Sequence, residues 1–153
     1  MDAYKTPESN LELPAQALFK PVKALVYGFL ISVVLLLVVS ALELFVFALM
    51  NREHIASLAN EGEINAFFSQ HILFLVVDII VSFAVLYFAG TVIRKYAVGY
   101  ELKFGFVLAL LTLGVHLVLF NVNDASDNYP FWYNAAGLIS IFAAILLGAR
   151  AKK

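Results

Sequence analysis

The 153-residue sequence contains no cysteine, and only 14% of its residues are charged. The first absence excludes disulfides, thiol redox catalysis, iron–sulfur clusters and cysteine zinc sites together. The second excludes an ordinary soluble domain, in which about 25% of residues are charged and about 45–50% apolar. Here 63% are hydrophobic, more than a core of this size could hide, so lipid must be the solvent for most of the chain. A formal net charge of −1 offers no surface for a polyanion, which excludes nucleic acid as a partner. Nucleophile elbow, phosphate-binding loop and catalytic triad are all missing, so the chain reads as a non-enzyme that calls for no cofactor.

What is present is four long apolar stretches, at about 22–50, 68–93, 104–122 and 130–149. Each approaches or exceeds the ~20 residues that cross a hydrocarbon layer of about 30 Å. With no water inside a bilayer each backbone must satisfy its own hydrogen bonds, and the alternating pattern of a barrel strand is absent. The predicted fold is therefore all-α, a polytopic antiparallel bundle of four transmembrane helices over residues 22–150. Tails at 1–21 and 151–153 flank it. The first stretch is much longer than the apolar region of a secretion signal, and Glu43, Phe45 and Phe47 make a poor cleavage site, so it is read as a retained span.

Basic residues orient the spans. Lys5, Lys20 and Lys23 precede span 1, Arg94, Lys95 and Lys103 join spans 2 and 3, and Arg150, Lys152 and Lys153 follow span 4. Of the ten basic residues only Arg52 falls on the other side, where Glu53, Glu61, Glu63, Asp124 and Asp127 gather. The positive-inside rule then puts both ends and the middle loop in the cytoplasm. Arg94, Lys95 and Lys103 could meet anionic lipid headgroups, as could any basic loop beside a membrane. The short 94–103 loop predicts that spans 2 and 3 are antiparallel neighbours.

Leu11, Ala15, Leu18 and Phe19 fall at helical spacing among Pro7, Pro14 and Pro21, which suits either a short helix on the membrane surface or an irregular tail. The segment Tyr4-Lys5-Thr6-Pro7-Glu8-Ser9-Asn10-Leu11 resembles the leader of small proteobacterial inner-membrane proteins of uncharacterised function. That resemblance covers eight residues and implies a bacterial inner membrane, with no activity attached.

Within the spans the informative residues are the polar ones, because an ionisable group in lipid is expensive. Glu43, Asp78 and His116 stand on spans 1, 2 and 3. At about 1.5 Å per residue, Glu43 falls about 10 Å, and the other two about 6 Å, to the outer side of their span centres. His71 lies two turns from Asp78 on the same helical face. Small and polar residues line up with them: Gly28 and Ser32 with Glu43, and Gly105, Ala109 and Thr112 with His116 and Asn123. Span 4 carries Ala136, Ser140, Ala144 and Gly148 at every fourth position, a ladder that lets helices approach closely.

Two functions are expected from this pattern. One is an accessory or scaffold subunit acting by helix contacts with another membrane protein or with itself, its polar residues serving as interhelical hydrogen bonds. The other is a small proton- or cation-coupled transporter using Glu43, Asp78 and His116, with His71 nearby. Metal binding by the same four side chains is possible in ligand type, although no local metal signature supports it. A haem between His71 and His116 is disfavoured because they differ in depth by about 7–10 Å. Asp124 to Asn128 echoes a calcium loop but has Tyr129 where glycine and Ala135 where glutamate are needed.

Overall fold

A computed structural model describes residues 15–122 and 129–150, with side chains from Lys20 to Leu119 and from Tyr129 to Arg150. The Tyr4–Leu11 leader, Asn123, the Asp124–Asn128 loop and the tail at 151–153 lie outside the described residues. The elements are α1 (Ala15–Met50), α2 (Arg52–Ala56), α3 (Glu61–Gln70), α4 (Ile72–Tyr96), α5 (Glu101–Val122) and α6 (Phe131–Arg150). Four of them, α1, α4, α5 and α6, are long and apolar enough to cross a membrane. The protein is an all-α, multi-pass membrane protein built as a four-helix bundle. Its outer surface is apolar: Phe45, Ile80 and Ile139 are each more than half exposed, as lipid-facing side chains should be.

Two boundaries differ from the hydropathy reading. Helix α1 has 36 residues, about 54 Å of helix, and passes through Pro21 without a break. Residues 15–21 therefore extend span 1 and do not form a separate surface helix. The second span is shorter than its apolar run. His71, at φ −80° and ψ 98°, separates α3 from α4. Helix α3 is started by a reciprocal cap: Asn60 Oδ1 accepts the Glu63 N–H at 3.0 Å and Glu63 Oε2 accepts the Ala59 N–H at 2.8 Å. Glu61 and Glu63 in its first turn also suit the positive end of the helix. Gly99, at φ +86°, makes the tight turn between α4 and α5, in a region a side chain rarely adopts.

Neighbours in the bundle do not follow chain order. Helix α4 packs most extensively on α6 and then on α1, while α5 packs on α6 and α1 and touches α4 much less. Around the bundle the order is α1, α4, α6, α5. Spans 2 and 3 thus face each other across a diagonal, correcting the expectation drawn from their short loop. The loop is short because α4 and α5 meet at the end it spans, not because they pack side by side. The pairs α4–α6 and α1–α5 run parallel, and α1–α4 and α5–α6 antiparallel.

Small residues decide these pairings. A Cβ on Gly148 would overlap the Tyr87 carbonyl oxygen and come within 3.1 Å of Gly90 Cα, so only glycine lets α6 reach α4 there. On the other faces, a Cβ on Gly105 would sit 3.0 Å from Ala149 Cβ, and one on Gly28 3.2 Å from Leu108 and 3.3 Å from Ile93. All these contacts lie at the basic end of the bundle, where α1 and α5 begin and α4 and α6 finish. The buried core is concentrated at the same end: Ala24, Ala89, Ile93, Ala97, Leu108, Ala109, Ala144, Ile145 and Ala149. Past this core a cavity opens among the four spanning helices.

Candidate functional site

The cavity has a volume of about 430 Å³, and all four spanning helices contribute to it. Helix α1 supplies Leu36, Leu37 and Ser40; α4 supplies Asp78, Ile79 and Ser82; α5 supplies Thr112, Val115 and His116; α6 supplies Tyr133, Asn134, Gly137 and Ser140. Its polar groups come from every wall and the remaining surface is aliphatic. Among the described residues no lysine or arginine lines it.

Asp78 is the centre of the polar side. Two turns into α4, it meets a titratable partner from each of the other three spans. The Tyr133 hydroxyl, on the first full turn of α6, donates to Asp78 Oδ2 at 2.6 Å. That length is typical of a hydroxyl bonded to a carboxylate. Glu43 on α1 lies within electrostatic range of Asp78, and its Oε1 is buried without a hydrogen-bond partner. His116 on α5 lies within electrostatic range of the same carboxyl, as does Tyr129 just before α6.

Of the four side chains expected at a proton or cation site, Glu43 and His116 each lie within electrostatic range of Asp78. His71 is not among them. The break between α3 and α4 takes it off the Asp78 face and into an aromatic cluster, with its ring 4.6 Å from Phe47 and 5.5 Å from Phe67. Its Nδ1 is buried there without a hydrogen-bond partner. Among the described residues no three His, Asp or Glu side chains come together to hold a metal ion.

No family model, curated protein or solved structure matches the chain.

The residues expected to pack helices fall into two groups. Gly28, Ser32, Gly105, Ala109, Ala144 and Gly148 are buried at helix contacts. Ser32 spends its hydroxyl on its own helix, donating to the Phe29 carbonyl at 2.8 Å. Ser140 instead opens on the cavity, and Ala136 is half-buried beside it. At the basic end Lys95 and Lys103 are exposed and Arg94 half-buried, with the Lys95 ammonium 5.2 Å from the Tyr96 ring centre.

Sequence reasoning missed Tyr133, Asn134 and Gly137. A tyrosine at a span end reads as an interfacial anchor. The available signal was its spacing, because Tyr133, Gly137, Ser140 and Ala144 share one face of α6. Gly90 was missed as well, since nothing small stands four residues either side of it.

Proposed function

We propose that the protein is a small proton-coupled carrier in which Asp78, Glu43 and His116 handle the proton and the cavity holds the solute. The observation that carries this reading is the convergence of titratable groups from all four spans on Asp78, at the wall of a solute-sized cavity. Volumes of about 300–1,000 Å³ are usual for small-molecule sites. An intramembrane acid that only joined two helices would need neither the additional titratable partners nor the space.

The accessory-subunit reading drew on the small-residue ladder of span 4 and on the polar stripes. Its two strongest rungs, Ala144 and Gly148, are used inside the bundle against α4 and are not free for a partner helix. That favours a self-contained carrier. The setting we propose is a bacterial inner membrane with both ends cytoplasmic, which opens the polar half of the bundle toward the outside. No covalent chemistry is asked of the site.

The test uses proteoliposomes loaded with a trapped pH indicator. They are challenged in turn with benzyltrimethylammonium, benzamide and benzenesulfonate. Probe-dependent proton movement in the wild type, reduced in Glu43→Gln, Asp78→Asn and His116→Ala, is the expected result. Absence of such movement with every probe, or equal movement in all three variants, overturns the carrier reading.

A further inference from the structure

We infer that the cavity takes an organic cation, a positively charged nitrogen on an apolar body. This deepens the carrier reading and rests on it for the proton step. Charge selects the sign: among the described residues the acids at the cavity are Asp78 and its neighbour Glu43, and no lysine or arginine lines the walls. An anion would meet two carboxyls with nothing to balance it. Size selects the class. About 430 Å³ equals roughly fourteen water molecules at about 30 Å³ each, too large for a bare metal ion. Among the described residues no three acid or imidazole side chains could cage one. Aliphatic walls such as Leu36, Ile79 and Val115 suit a hydrocarbon body, and Tyr133 adds an aromatic residue to the wall.

A second observation concerns the cavity wall. Thr112 is 5% exposed, lines the cavity, and its Oγ1 has no hydrogen-bond partner. A helical threonine would ordinarily bond to its own backbone, as Thr91 does to the Phe88 carbonyl at 2.7 Å. The wall of the cavity thus carries a polar group that its own helix does not satisfy.

Charge also balances through the exchange. With one proton shared by Glu43 and Asp78 the pair carries one negative charge. When the cation docks against Asp78 and the proton leaves to water, two carboxylates and one cation again sum to a single negative charge. The membrane interior thus holds the same net charge in both states, which avoids the penalty of burying an extra one. The groups facing Asp78 during this exchange are Glu43 from α1, His116 from α5, and Tyr129 and Tyr133 before and on α6.

Equilibrium binding to the full chain in lipid nanodiscs tests this. Benzyltrimethylammonium, whose own charge does not titrate, is compared with its uncharged isostere neopentylbenzene and with benzenesulfonate. The cation should bind at least about tenfold more tightly than either, and more tightly in mildly alkaline than in mildly acidic buffer, releasing a proton. Asp78→Asn should weaken it at least about tenfold. Gly137→Leu is the second variant, because a side chain there meets nothing within 4 Å and projects into the cavity. It should block binding while leaving thermal stability unchanged. Equal binding of the isostere or the sulfonate, no binding of the cation, or full binding by Gly137→Leu overturns the inference. Cation binding with no proton movement in vesicles removes the carrier reading and leaves the ligand class standing. Proton movement driven by another probe, with no cation binding, does the reverse.

Discussion

Replacing Tyr133 with phenylalanine removes one oxygen and keeps the ring, so packing terms largely cancel. What is lost is the 2.6 Å bond to Asp78, which links α6 to α4 across 55 residues of chain. Interhelical hydrogen bonds in membrane proteins average about 0.6 kcal/mol and reach about 1.7 kcal/mol. This bond belongs at the upper end for two reasons. It is short and joins a hydroxyl to an acid, a class roughly twice as strong as neutral pairs. Its loss also strands a half-buried carboxyl oxygen, and a stranded buried acceptor costs about 1–3 kcal/mol. We expect Tyr133→Phe to destabilise the bundle by about 1.5 kcal/mol, somewhat more than a tenfold change in the folded-to-unfolded ratio. The assay is reversible unfolding in mixed micelles titrated with sodium dodecyl sulfate and followed by circular dichroism. A double-mutant cycle with Asp78→Leu, which keeps the branched outline of aspartate and accepts no hydrogen bond, separates the pair from the other interactions of Asp78. A coupling energy under about 0.4 kcal/mol, within the scatter of independent sites, would refute the bond as a structural tie.

Two further outcomes follow from the packing. Gly148→Ala should cost about 1–3 kcal/mol, because its methyl group meets the α4 backbone. Gly114→Ala meets nothing within 4 Å and should gain about 0.5–1 kcal/mol from helix propensity; equal effects at the two positions in the same unfolding assay would contradict the close crossing. His71→Phe should raise stability by about 1 kcal/mol by removing a buried ring nitrogen that has no partner among the phenylalanines around it. A fall in the unfolding midpoint would show that the nitrogen has a partner.

The spans were readable because apolar length is a property of consecutive residues, and lipid imposes it on each helix separately. Asp78 was readable for the same reason: an acid in an otherwise apolar run stands out whatever surrounds it. Helix neighbours were not, since periodicity shows which face is buried but not which helix covers it. Hence the 94–103 loop suggested adjacency for spans 2 and 3, and the Gly90–Gly148 crossing went unseen. The break at His71 carries no proline or glycine to mark it. Tyr133 was hidden by its own chemistry, because a hydroxyl on an aromatic ring suits the membrane interface as well as it suits a buried acid.

The diagonal placement of spans 2 and 3 has a consequence for biogenesis. Helix α4 leaves the ribosome well before α6, yet α6 is its main partner and carries both the glycine that fits against Gly90 and the hydroxyl that bonds to Asp78. Until the last span is inserted, α4 has α1 as its main partner and touches α5 far less. A chain interrupted before residue 131 would leave a cleft in the membrane with an acidic side chain on its wall. The final helix therefore supplies both the close crossing at Gly90 and the hydroxyl that Asp78 bonds to.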